Sequence, residues 1–169
     1  MSYQRLTAEE LIDRAEIIDT VNRYATGIDR CDWEMYRGIF TETVQYDFQS
    51  WSGAEPGPIK ADDWVARVGN TLSAFDATQH VLTNHRVLLN GDEATCVAYM
   101  SAHHHFVTET GERQMQSIGG YYTDHLIRTD DGWRIDAVKL TVTWEMGDRA
   151  LFAQAAERGK RRPPARAER

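Results

Sequence analysis

The stretch Glu93-Ala94-Thr95-Cys96-Val97-Ala98-Tyr99-Met100-Ser101-Ala102-His103-His104-His105-Phe106-Val107 alternates between two sets of side chains. Cys96, Ala98, Met100, Ala102, His104 and Phe106 form a small, mainly apolar set. Val97, Tyr99, Ser101, His103, His105 and Val107 form the other. A period of two over this length predicts a long β-strand with the first set turned toward a core. Tight turns at Asn90-Gly91-Asp92, Glu109-Thr110-Gly111-Glu112 and Thr129-Asp130-Asp131-Gly132 divide the chain from Ala77 onward into four such segments, a meander. On the following strand Ile118, Gly120, Tyr122 and Asp124 continue the inward face, and on the last strand Val138, Leu140, Val142 and Trp144 do so.

Upstream of the meander the period changes to that of helices. Thr7-Ala8-Glu9-Glu10 reads as a capping box, and Leu11, Ala15, Ile18, Val21, Ala25 and Ile28 recur at three- and four-residue steps. This long helix is expected to end near Gly27. Asp32 then caps a shorter helix through Trp33, Met35, Tyr36, Ile39 and Phe40. Val44 to Phe48 alternates as a strand, a loop follows with Gly53, Pro56, Gly57 and Pro58, and a third helix spans about Ala61 to Phe75. A last helical stretch runs from Asp148 to Glu157. Helices gathered on one face of an antiparallel meander give the α+β class. A strongly curved sheet of this kind makes a cone-shaped α+β barrel with the long helix across its mouth, and Gly119-Gly120 supplies the bulge that curvature needs. The interior of the cone is the expected small-molecule pocket.

The 169 residues, 41% hydrophobic and 27% charged, suit one domain, assigned to residues 1–158. Residues 159–169 form a basic, Pro- and Arg-rich tail expected to be disordered. The chain carries a net charge of −7, and with +4 in this tail the body stands at −11, which disfavours nucleic acid and anionic membrane surfaces as partners. Cys31 and Cys96 are far apart and lack zinc-site spacing, so a reducing, cytoplasmic setting is expected. The first residues show no signal pattern, and no apolar run is long enough to span a bilayer.

Among the six histidines, His80 stands where the helical layer meets the meander, and Asp29 stands just beyond the long helix at the same mouth. A carboxylate that accepts from one imidazole nitrogen fixes the tautomer and raises the basicity of the other. The same residues also read plainly as a helix-end carboxylate and a strand histidine. Tyr24, one turn before the helix end, and Tyr46, on the first strand, could each donate to an oxyanion or a departing oxygen. His103-His104-His105 offers His-x-His chelation but no third ligand with suitable spacing, so no metal is expected. The GxSxG, Walker A and GxGxxG patterns are absent, which leaves acyl-enzyme, NTP and dinucleotide chemistry unsupported.

The order Tyr24-x4-Asp29, the Asp32-Trp33 cap, His80-x3-Asn84, Tyr122-Thr123-Asp124 and Asp131-Gly132-Trp133 resembles the SnoaL-like branch of the nuclear transport factor 2 superfamily, over about Thr7 to Trp144. Within that branch it is similar to scytalone dehydratase, bile-acid 7α-dehydratase and hexachlorocyclohexane dehydrochlorinase. The resemblance implies a catalytic dyad of Asp29 and His80, with Tyr24 matching the tyrosine of the bile-acid dehydratase pattern. Tyr46 and His104 fall where scytalone dehydratase places a strand tyrosine and a second pocket histidine. Val138 stands where the dehydrochlorinase has an arginine, which argues against halide elimination. The resemblance also favours a homotrimer over a dimer.

The expectation is therefore a lyase without cofactors that removes water from a mainly apolar, oxygenated small molecule. His80 and Asp29 act as the base, with Tyr24, Tyr46 and His104 completing the catalytic set. Met100, Ala102, Ile118, Tyr122, Val138, Leu140 and Trp144 are expected to surround the substrate. A cyclase, isomerase or carbon–carbon lyase would use the same base. A non-catalytic ligand-binding or oxygenase small-subunit-like protein would need no complete Asp–His–Tyr set. The face carrying Tyr99, His103 and His105 is expected to bury itself in a homo-oligomer.

Overall fold

A computed structural model describes residues 5–161. Its capping box is formed as the sequence implies: the Thr7 side chain accepts from the Glu10 backbone N–H, and Glu10 accepts from the Thr7 N–H. The helix that follows, α1 (Ala8–Asp29), runs to Asp29 rather than stopping near Gly27. Its buried stripe follows the apolar reading at Val21, Ala25 and Ile28 but differs from it in the first turns. Asp13 and Ile17 are buried while Leu11 is 55% exposed. The cause is a polar anchor: both Asp13 carboxylate oxygens accept from Arg128 at 2.7 Å, and Trp133 Nε1 donates to Oδ1 at 3.2 Å. A forked guanidinium–carboxylate pair turns that face inward more strongly than one leucine would.

Asp32 caps α2 (Trp33–Gly38) by accepting from the Met35 N–H. The segment expected as loop contains two small elements. After β1 (Phe40–Asp47) come α3 (Gln49–Ser52), closed by Gly53 at φ 71°, and β2 (Gly57–Lys60). β2 pairs only with β1, and Pro58 is tolerated because β2 is an edge strand. Next is α4 (Ala61–Leu72), and then the meander β3 (Ala77–Asn90), β4 (Glu93–Val107), β5 (Arg113–Thr129) and β6 (Gly132–Gly147). The six-stranded sheet has the order β2-β1-β6-β5-β4-β3, antiparallel except between β1 and β6. This is a mixed α+β cone, with the curved sheet packed against helices.

The sheet bends where Gly119 and Gly120 stand. Gly119 pairs with Trp144 but Gly120 pairs with Val142, so Thr143 is an extra residue in β6. That bulge flips the alternation and corrects one expectation: Trp144 is 46% exposed and lies on the outer face, not in the pocket. A Cβ on Gly119 would fall 1.9 Å from the Trp144 ring, and one on Gly120 would fall 2.0 Å from the Thr141 carbonyl oxygen.

The chain closes with α5 (Ala150–Arg161), which extends through Gly159, Lys160 and Arg161 into the stretch expected to be a disordered tail. Arg158 fastens α5 to the sheet: it donates to the Ala74 and Val107 carbonyls, pairs with Asp76 at 3.0 Å and stacks over Phe106. The remaining tail, residues 162–169, and the first residues expected to lack a signal pattern, 1–4, lie outside the described residues. Among the described residues no helix is long and apolar enough to cross a membrane.

Candidate active site

Asp29 is the last residue of α1, where the chain turns sharply through Cys31 at φ 51°. A negative charge at a helix C-terminus opposes the helix dipole. Here β3 supplies the compensation. The His80 Nδ1 lies 2.7 Å from Asp29 Oδ1, the His80 backbone N–H donates to Oδ2 at 2.6 Å, and the Thr78 hydroxyl donates to Oδ1 at 2.8 Å. Burial alone would raise the Asp29 carboxyl, but these three donors outweigh it and hold it below the usual carboxylate range. An ionised Asp29 fixes the proton on His80 Nδ1 and leaves the Nε2 lone pair free. The His80 side chain is 5% exposed.

His80 opens onto a cavity of about 340 Å³ inside the cone. Of the residues expected there, Tyr24, Tyr46, His80, His104, Met100, Ala102, Ile118, Tyr122 and Leu140 line it. Asp29 stands behind His80. Val138 is buried but does not line this cavity, because β6 presents it deeper in the cone, opposite Asp124. The opposite wall and roof come from Phe48, Trp51 of α3, Trp64 of α4 and Phe152 of α5. None of these four is among the residues that the sequence pattern places around the substrate. Trp51 and Phe152 meet at 4.8 Å between ring centroids. Thr78 was also missed, although it lies two residues from His80 on one strand and so shares its face.

His104 is 2% exposed and wedged against His80 at 5.4 Å, Phe75 at 5.2 Å and Phe152 at 4.7 Å. Burial and the neighbouring His80 push its imidazole down to about 3, so it is neutral. Its Nδ1 faces the Gln116 carbonyl at 3.3 Å and donates to it. Nε2 is then an acceptor. His104 Nε2 therefore suits a substrate hydroxyl as its acceptor, while the donors of the set are the two phenols.

Tyr24 is 4% exposed, with its ring 5.0 Å from Tyr36 and 5.1 Å from Tyr122. Burial, together with these tyrosine neighbours, pushes its phenol well above its ordinary range and keeps it protonated. Burial raises Tyr46 to about 12. Both phenols are hydrogen-bond donors at neutral pH. His103, expected on the outer face, bonds with Ser101 and Ser117 there. Among the described residues no group of three or more His, Cys, Asp or Glu side chains is arranged to hold a metal ion.

Comparison with known proteins agrees with this architecture. The family model for the SnoaL-like domain matches residues 9–139. The uncharacterized protein Rv2910c of Mycobacterium tuberculosis is 28% identical over 130 residues, 77% of this chain and 85% of that protein. The crystal structure of Kfla4162 from Kribbella flavida is 33% identical, covering 85% of this chain and 98% of that one, with a TM-score of 0.77. A scytalone dehydratase-like protein of Novosphingobium aromaticivorans is 18% identical over 85% of this chain and 93% of its own, with a TM-score of 0.70. A type 2 hexachlorocyclohexane dehydrochlorinase, LinA, is 20% identical over 83% of this chain and 91% of its own, with a TM-score of 0.69. At the identities of these last two, the likeness is one of fold. With the family model spanning most of its length, the chain belongs to the SnoaL-like family of the nuclear transport factor 2 superfamily.

Proposed function

We propose that the protein is a carbon–oxygen lyase that dehydrates a compact, mainly apolar molecule bearing a hydroxyl β to a carbonyl or similarly activated carbon. The observation that carries this reading is the 2.7 Å contact between His80 Nδ1 and Asp29 at the wall of an aromatic cavity. The Nε2 lone pair takes the proton from the activated carbon, the C–H electrons become the C=C bond, and the carbon–oxygen bond breaks. The phenol of Tyr24 or Tyr46 gives its proton to the departing oxygen, so that water leaves. The proton on His80 then restores the phenol. Each proton moved has a carrier among these side chains, so the reading calls for no cofactor. A positioned base supplies about 10²–10⁴-fold, and donors aimed at the developing charge supply more. A volume near 340 Å³ sits at the small end of ligand pockets and suits a body of one or two rings.

Incubation with a panel of β-hydroxy carbonyl compounds, with mass detection, tests this. Loss of one water is the expected result. Conversion to products of unchanged mass, without any dehydration, would replace the reading by a rearrangement on the same base.

The outer face of the sheet is proposed to join copies of this chain. Val81, Tyr99 and Trp144 are each more than 40% exposed there, around a shallow groove. Light scattering should give a multiple of the 19.3 kDa chain mass, with a trimer favoured. A mass equal to one chain would contradict it.

A further inference from the structure

The cavity is polarised along its length. At its inner wall His80 and His104 are almost fully buried, and around them the surface is aromatic and aliphatic. On α4, Arg67 lines the same cavity while remaining exposed, which places it at the mouth. It is the one charged side chain among the lining residues, and no carboxylate joins it there. Arg67, like several other arginines of the chain, has no Asp or Glu within ion-pair distance among the described residues, and its place on the cavity wall is what sets it apart. The hydroxyls of Thr71, one turn along α4, and Ser52 line the cavity too. An arginine without a carboxylate partner at the mouth of an otherwise uncharged pocket, in a protein of net charge −7, is positioned for an anion that arrives with the ligand.

We infer that the molecule bound here is a monocarboxylate, with its ring body in the aromatic interior and its carboxylate on Arg67 at the mouth. This deepens the lyase reading and rests on it for the chemistry at the buried end. A carboxylate fits better than a phosphate. One guanidinium matches a single negative charge through its paired N–H groups, whereas a phosphate dianion calls for further cations or a helix N-terminus, and Arg67 stands in the middle of α4.

Two probes of nearly equal shape separate charge from burial: 2-naphthoate and 2-naphthamide. Their dissociation constants are measured by titration at low ionic strength, following the indole N–H resonances of Trp51 and Trp64. The wild-type protein should bind the carboxylate about fivefold tighter than the amide, the scale of a partly exposed ion pair. Arg67→Gln should abolish that preference and leave amide affinity within about twofold, while Arg67→Lys keeps part of it. A preference that survives Arg67→Gln, equal affinity for both probes in the wild-type protein, or binding of neither would overturn the inference. No turnover is read in this titration, so its failure is distinct from failure of the dehydration reading, which is judged by product mass.

Discussion

The carboxylate of Asp29 receives His80 twice, from the ring Nδ1 at 2.7 Å and from the backbone N–H at 2.6 Å. One residue thereby anchors both the imidazole and the strand that carries it, so the tautomer and the position of the ring are set together. The Thr78 hydroxyl completes the set on Oδ1.

Thr78→Val removes that third donor and keeps the shape. The expected outcome is a fall in kcat of about five- to tenfold, the worth of one orienting hydrogen bond, with KM unchanged and Thr78→Ser restoring most of the rate. Steady-state kinetics of the two variants check it. A wild-type kcat for Thr78→Val would show that Thr78 only fills space.

Asp124 is 2% exposed, and its Oδ1 has no hydrogen-bond partner among the described residues. Burial raises its carboxyl to about 8. Below the unfolded value near 4 both states are protonated and nothing is lost. Between roughly pH 4 and 8 only the unfolded chain ionises, so stability falls as pH rises, by several kcal/mol in the limit. Asp124→Asn should therefore gain on the wild type between pH 5 and pH 8 in urea denaturation. A gap that stays constant across that range would refute the assignment.

The two glycines at the bulge should differ. A Cβ on Gly120 meets the Thr141 backbone, which cannot yield without breaking the bulge, whereas the nearest atoms to one on Gly119 belong to the exposed Trp144 ring, which can swing away. Gly120→Ala is expected to cost about 3 kcal/mol or to prevent folding, and Gly119→Ala well under that. Thermal melts of both variants decide this, and equal costs would contradict the bulge geometry.

Much of this was legible from residue order. Alternation along Glu93–Val107 identified an inward set that is buried throughout, from Cys96 to Phe106. The capping residues Thr7 and Asp32 marked two helix starts because caps act locally. What failed was set by distant partners. The buried stripe of α1 was read correctly at Val21, Ala25 and Ile28 but misplaced in the first turns, because Asp13 answers to Arg128 and Trp133, more than a hundred residues away. Trp144 was placed inside because one extra residue at Thr143 inverts everything after it, and a period-two reading carries no warning of a bulge. Trp51 and Phe152 reach the cavity from short or terminal elements whose docking only the tertiary structure reveals.

The central claim is that His80, held by Asp29, is the proton-abstracting base. Its most direct test is kcat/KM of His80→Ala, Asp29→Asn and the double variant on a substrate found by the mass screen, with folding of each verified by circular dichroism. The account predicts a fall of about 10²–10⁴-fold for His80→Ala, a large fall for Asp29→Asn, and a double variant no worse than His80→Ala alone, because the two residues act as a unit. Turnover by folded His80→Ala within a few-fold of wild type would contradict it.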